Sequence, residues 1–406
     1  MAALRKLVIA AHTFPPAPGI GGRRWAKHAK FLHRSGIQVS VLAAKLDETG
    51  SPWTDDVSGI AQFAYTHRFP HVLQGRPEGP VDKVAYRLAL ATNRLLSAGT
   101  PYDRALYDRK AFTGALHDLL SRERPDALVV TAAPFRLPWY ALDLRAAFPE
   151  VAFVVDLRDP WTSGESYGYR ELKGRRKAFE AAAERSVVEG FDLVTTPWPG
   201  LVDELRGRYP GRKDHIALVP HCYDPDEVKA CVRTDQREVP RVVYGGNLYQ
   251  GFEPLYARLA ALAAEGVLEA DFWVSPKDTT LRPLAHETFR VHPATSSTSF
   301  FAEAAQADWL LLPIPEVLRN GRPTKLFEYA ALGVPILAAG ASGSLSAEIE
   351  ARGLGHFIPM DGGVEPIGRI VTSGPHIQPD MDWVRRHAAP AVVEQLAVMI
   401  EKLKHD

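Results

Sequence analysis

The 406-residue sequence predicts an α/β protein of two doubly wound domains facing across a cleft. Three observations carry that prediction. The chain is too long for one ordinary hydrophobic core and suits two of about 150–200 residues each. Short continuous apolar runs alternate with longer segments of helical periodicity, the pattern of buried parallel strands joined by helices. Glycine-rich turns, Gly19–Gly22 and Gly245–Gly246, follow the first strand of each half, where open sheets receive their ligands.

In chain order, Leu7–Ala11 is a buried strand that ends in the loop Phe14-Pro15-Pro16. After Gly19–Gly22, Trp25, Ala29 and Leu32 recur at helical spacing, Gly36 closes the helix, and Val39–Ala43 is the next strand. From Pro52 to Pro101 the pattern is irregular, with one helix over about Asp82–Ser97. Ala127–Val130, Val151–Val155, Asp192–Thr196 and Ile216–Val219 are further strands, with a helix around Leu201–Leu205. Residues 1–220 thus form the first domain and 221–240 a linker. Residues 241–380 form the second, with strands at Val242–Tyr244, Asp271–Val274, Trp309–Pro313 and Val334–Ala338. Its helices fall at Leu255–Leu262, Phe300–Ala307 and Lys325–Ala331. Residues 381–406 read as one C-terminal helix, placed to pack across both domains.

Composition narrows the function. A hydrophobic fraction of 46%, a charged fraction of 24% and zero formal net charge are ordinary globular values and argue against a nucleic-acid binder. The balance is uneven, however. Between Met1 and Lys110 there are 16 Lys or Arg against 8 Asp or Glu, a surplus suited to an anionic substrate, an acidic membrane surface or simply a solvated face. Two cysteines, Cys222 and Cys231, exclude a disulfide scaffold; one bond between them is open, but a reducing compartment is the simpler assumption. The start lacks the shape of a signal peptide, and no apolar run approaches the 18 or so residues of a membrane span. The expected setting is the cytoplasm, with peripheral contact on the inner face of the membrane as an option. The oligomeric state is unreadable.

Four groups of residues carry chemistry. Gly19–Gly22 places backbone N–H groups and a helix N-terminus where an anion could sit, with Arg23 and Arg24 beside it; the spacing is neither the dinucleotide fingerprint nor a P-loop. Asp156-Leu157-Arg158-Asp159-Pro160-Trp161 lies at the end of a strand. Asp159 could orient an acceptor hydroxyl or share its proton and Arg158 could hold an anion, or the two could form a structural pair. Arg170, Lys173, Arg175, Arg176 and Lys177 form a basic stretch, either a solvated face or an anionic lipid contact. The fourth group is Arg322-Pro323-Thr324-Lys325-Leu326-Phe327-Glu328, where Lys325 and Glu328 share a helix face if Thr324 is the cap. That face offers a cation for a diphosphate and a carboxylate for sugar hydroxyls, against the alternative of a surface salt bridge. No His/Asp cluster with metal-ligand spacing stands out, and no metal or cofactor is expected.

The segments HTFPPAPGIGGRRWAKHAKFL, VPHCYDPDEV, RVVYGGNLYQG and PTKLFEYAALGVPIL together resemble the retaining GT-B glycosyltransferases of family four, over nearly the whole chain but thinly from Pro52 to Pro125. The resemblance implies two Rossmann-like domains and transfer of a sugar from a nucleotide-sugar donor, with retention and without a metal. The acceptor would be a glycan, a glycolipid or a small molecule, in cell-surface polysaccharide or glycolipid assembly. It implies that Glu328 binds the ribose and Lys325 faces the donor phosphates. Gly21 and Gly22 would back the diphosphate, and Gly246 and Asn247 would belong to the nucleotide loop. The family's Glu-x7-Glu motif has its first glutamate where this chain has Asn320, which can hydrogen-bond a sugar hydroxyl but carries no charge. Arg319 and Arg322 are nearby sources of charge. The family's N-terminal histidine beside the donor sugar has no secure position, leaving Arg158 or Asp159 as candidates. The rival readings are a sugar-nucleotide epimerase of the same fold and an inactive nucleotide-sugar-binding subunit.

Overall fold

A computed structural model describes residues 4–75, 77, 79–164, 168–228, 238–374 and 377–403. The chain divides into two compact units, Met1–Pro220 together with Val393–Asp406, and His221–Val392. Each is built on one parallel sheet flanked by helices. Residues 229–237, and with them Cys231 and part of the expected linker, lie outside the described residues.

The N-terminal unit contains strands β1 (Lys6–Ala10), β2 (Gln38–Lys45), β3 (Ala61–Thr66), β4 (Ala127–Ala132), β5 (Ala152–Leu157), β6 (Leu193–Thr196) and β7 (Ile216–Leu218). Between them run α1 (Ile20–Arg34), α2 (Pro80–Leu96), α3 (Arg109–Glu123), α4 (Arg136–Ala141), α5 (Gly174–Gly190) and α6 (Pro199–Arg208). The strand order is β3-β2-β1-β4-β5-β6-β7. Every residue of β4 and β5 is buried, as a central strand covered on both faces requires. The chain builds outward from β1 to β3, then returns to the other side of β1 with β4. The β1/β4 seam is therefore the switch point where such sheets open a crevice.

The second unit repeats the plan. It runs α7 (Pro225–Val228), β8 (Arg241–Gly245), α8 (Glu253–Ala264), β9 (Glu269–Val274), β10 (Phe289–Pro293), α9 (Ser297–Ala304), β11 (Trp309–Ile314) and α10 (Thr324–Leu332). There follow β12 (Ile336–Gly340), α11 (Ser344–Ala351), β13 (Gly355–Pro359), α12 (Ile367–Thr372) and α13 (Met381–Arg386), with α14 (Ala389–Lys402) last. The order β10-β9-β8-β11-β12-β13 puts the switch point at β8/β11. Alternation of side chains divides the core between the two faces. Val242, Tyr244, Trp309 and Leu311 pack on one side, and Val243, Leu310, Leu312 and Phe327 on the other.

The structure adds strands that the apolar pattern does not announce. β3 (AQFAYT) and β10 (FRVHP) are edge strands with polar or exposed positions, and β13 (GHFIP) is the opposite edge. Edge strands need only one neighbour and only partial cover, so no continuous apolar run marks them. The single C-terminal helix expected over residues 381–406 is instead two. α13 ends at Arg386, and α14 restarts at Ala389 with Pro390 in its first turn, where a missing N–H costs nothing. Among the described residues no helix is long and apolar enough to cross a membrane.

Candidate active site

In the N-terminal unit a recess of about 280 Å³ opens at the β1/β4 seam, lined among others by His12, Thr13, Gly19, Gly21, Asp103 and Arg158. The glycine turn lies partly inside a helix. Gly19, at φ 120°, is the N-cap, and α1 starts at Ile20 with Gly21 and Gly22 in its first turn. A Cβ on Gly22 would stand 3.0 Å from the Thr13 carbonyl oxygen, so this glycine lets the helix press against the β1 loop. A Cβ on Gly21 would stand 2.9 Å from Arg158 Nη1. Arg158 lies across that turn, donating from Nη1 to the Gly21 carbonyl at 3.1 Å and from Nε and Nη2 to Asp159 Oδ2 at 3.2 and 3.1 Å.

Two of the expected site residues are engaged in ion pairs. Arg24, expected as an anion contact, is buried and turned into the unit. Its Nε and Nη2 donate to Asp156 at 2.9 and 3.1 Å, and its Nη1 and Nη2 to the carbonyls of Pro220 and Val219 at 2.9 and 2.7 Å. A guanidinium so enclosed holds α1 against β5. Asp159, expected to orient an acceptor hydroxyl, is not among the residues that line the recess; its carboxylate steadies Arg158.

What the recess does contain is His12, two residues beyond the end of β1. Burial above all, then the charges of His67 and Arg104, lowers its pKa to about 3, so it is a neutral imidazole at physiological pH. Its Nδ1 lies 3.3 Å from Thr13 Oγ1, while its Nε2 is buried without a hydrogen-bond partner. The His67 ring meets it edge-on at 4.7 Å and is held by Asp108 Oδ2 at 2.7 Å from Nδ1. His12, His67 and Asp108 are the grouping among the described residues that could hold a metal ion. Asp108 already accepts from His67 and from the Arg68 N–H at 2.9 Å, so its first role is to orient an imidazole. Sequence reasoning missed the cluster because its members lie on separate segments; the available signal was a histidine just beyond a strand end.

In the second unit the loop after β8 and the start of α10 come together. Gly246, at φ 138°, donates its N–H to the Trp273 carbonyl at 2.9 Å. The Tyr244 hydroxyl donates to the Asn247 carbonyl, which fixes the loop. The Lys325 ammonium stands 4.6 Å from the centre of the Tyr244 ring and 3.5 Å from its hydroxyl, against Gly246. Burial lowers its pKa to about 8, with Glu328 acting in the opposite sense. Glu328 is only 3% exposed, one turn further along α10. The N-cap is Pro323 and not Thr324, so the first N–H groups of the helix have no side-chain cap. A methyl group at Gly246 would run into the ammonium and would also sit at a φ that side chains rarely adopt. Gly246→Ala is accordingly expected to push Lys325 away and weaken the affinity for a nucleoside diphosphate about tenfold, read by calorimetry.

Asn320 has a partner: its Oδ1 accepts from the Ser344 N–H at 3.1 Å and so supports the start of α11. Arg322 is tied to Glu348 by two bonds of 2.6 and 2.7 Å, and Trp383 Nε1 joins the same carboxylate at 3.1 Å. Arg322 is therefore a strut and not a source of free charge. Arg319, paired with Glu316 at 2.9 Å, lines a second recess of about 430 Å³ with Gly251, Ile314, Gly340 and Ser342, at the carboxyl ends of β11 and β12.

Residues 21–222 match the model of the glycosyl transferase 4-like domain. No curated protein matches the chain by sequence. Among solved structures it is similar to the lipopolysaccharide outer core galactosyltransferase WaaB in its apo form, at 13% identity and TM-score 0.60, covering 98% of this chain and 99% of that one. It is similar to the catalytic domain of starch synthase IV from Arabidopsis thaliana bound to ADP and acarbose, at 12% and 0.58, covering 100% and 99%. The UDP-GlcNAc 2-epimerase from Neisseria meningitidis bound to UDP-GlcNAc is a third, at 11% and 0.57, covering 98% and 100%. These likenesses show a GT-B fold.

Proposed function

We propose, from the premise that residues 21–222 are a glycosyl transferase 4-like domain, that this protein transfers a sugar from a nucleotide-sugar donor to a hydroxyl acceptor with retention at the anomeric carbon. The observation that carries the reading is the half-buried Lys325, with its ammonium against Gly246 and Glu328 one turn away at the uncapped start of α10. The second unit holds the donor. Lys325 and the N–H groups of α10 take the diphosphate. Glu328 takes the ribose hydroxyls, the Gly246–Asn247 loop borders the nucleotide, and the Asn320 amide serves the sugar.

The N-terminal unit receives the acceptor in the His12 recess. There neutral His12 Nε2 and the Arg158 guanidinium address sugar hydroxyls and negative charge. In the transfer the bond from the anomeric carbon to the diphosphate oxygen breaks and one to the acceptor oxygen forms. The acceptor's proton passes to the departing diphosphate, so no covalent enzyme intermediate is needed. Charge growing on the diphosphate is what Lys325 and the helix N–H groups stabilise. The lipopolysaccharide galactosyltransferase among the structural neighbours favours a glycan or glycolipid acceptor.

A screen of nucleotide sugars by thermal shift identifies the donor, and proton NMR of the product in the first minutes gives its anomeric configuration. An inverted product overturns retention, and a free epimerised sugar without acceptor assigns the chain to the epimerases. Glu328→Ala is expected to weaken donor binding about tenfold in calorimetry while the protein still folds; unaltered affinity removes the ribose role.

A further inference from the structure

Of the eight large hydrophobic side chains that are exposed among the described residues, five lie on α2: Val81, Val84, Leu88, Leu95 and Leu96. Val81 is 80%, Leu88 65% and Leu95 86% exposed. Their spacing of three, four and seven from Val81 through Val84 and Leu88 to Leu95 puts these four on one face of a helix. Lys83, Arg87 and Arg94, spaced by four and seven, form an exposed basic row along one border of that face, and Asp82 is the one acid on the helix.

The outward aim of the apolar face is built in. On the opposite side Asn93 is fully buried, its amide donating to the Pro101 carbonyl at 2.9 Å and its Oδ1 accepting from the Tyr107 hydroxyl at 2.5 Å. The basic stretch at the start of α5 is attached to the same region. Arg176 donates to the carbonyl of Arg94 and, at 2.8 Å, to that of Gly99, which brings the exposed Lys173, Arg175 and Lys177 near the C-terminal end of α2.

We propose that α2 docks this protein on an anionic lipid bilayer, lying in the plane of the interface. Val84, Leu88 and Leu95 enter the boundary between headgroups and acyl chains. Lys83, Arg87 and Arg94, with the basic start of α5, contact lipid phosphates. Charge complementarity selects this occupant: an apolar stripe bordered by cations matches a surface that is apolar beneath and negative above. A stretch of 17 residues with this much charge lies on a membrane and does not span it.

Flotation of the full-length protein with phosphatidylcholine vesicles, with and without phosphatidylglycerol, tests the proposal. Binding is expected only with phosphatidylglycerol and should fall as salt is raised. The triple variant Lys83→Gln/Arg87→Gln/Arg94→Gln should bind about a hundredfold more weakly, at roughly fivefold for each charge. Val84→Ser/Leu88→Ser/Leu95→Ser should lose about tenfold or more while keeping the melting temperature. Leu88→Trp should shift its emission to the blue when phosphatidylglycerol vesicles are added. No flotation of the folded protein, or flotation unchanged in the apolar triple variant, overturns the proposal. So does self-association in lipid-free buffer that the apolar triple variant abolishes, since the face then belongs to a second copy.

Discussion

Replacing Asp156 with alanine is expected to destabilise the N-terminal unit by about 3–5 kcal/mol, the usual cost of leaving a buried charge without its partner. Asp156 is 0% exposed and accepts four hydrogen bonds, two from Arg24 at 2.9 and 3.1 Å, one from Trp25 Nε1 at 2.8 Å and one from Thr195 Oγ1 at 2.9 Å. Deleting the carboxylate leaves the Arg24 charge inside the unit without its counter-ion, and removes the bonds that fasten α1 to β5 and Thr195 of β6 to β5. Asp156→Asn keeps the shape and part of the bonding, so it should lose less. Urea unfolding followed by tryptophan fluorescence measures both, with Trp25 itself at the affected bond. A loss under about 1 kcal/mol would mean that water already reaches Arg24.

Lys325→Ala is expected to lower kcat/KM about a hundredfold to a thousandfold, with stability unchanged or slightly raised. The first effect is the size found when one preorganised donor to a developing anion is removed. The second follows because the fold holds this ammonium at a cost, which is why its pKa falls to about 8. The sign of the pH dependence follows as well. A lysine in the ordinary range stays charged up to about pH 10. Lys325 carries its charge below about pH 8 and loses it above, so affinity for a nucleoside diphosphate should fall as pH rises from about 7 to about 9. Lys325→Arg should abolish that slope, since a guanidinium keeps its proton, but should restore activity only in part beside Gly246 and Tyr244. Calorimetry across the pH range reads the slope; a flat profile in the unmodified protein would remove Lys325 from the diphosphate.

Much of the fold is legible in the sequence because it is written locally. β4 and β5 are buried throughout, so their apolar runs are continuous, and the glycines that follow β1 and β8 mark where backbone must approach something closely. β3 and β10 are not legible, because an edge strand is not required to be apolar at every position. The same contrast divides the candidate site. Lys325 and Glu328 are visible as a pair because both lie on one helix, three residues apart, and helical geometry alone puts them on one face.

His12, His67 and Asp108 are invisible as a cluster, since nothing in the local pattern of any one of them refers to the others. Arg24 shows the limit most plainly. Beside a glycine turn its charge points to an anion, yet 132 residues away Asp156 takes that charge into the interior. By itself the sequence determined the two parallel sheets, the glycine turns after β1 and β8 and the Lys325/Glu328 helix face, because periodicity and backbone sterics act over a few residues. Only the tertiary structure decided which charges remain for a ligand: pairing between distant segments depends on strand order, and buried ions select partners by proximity in space.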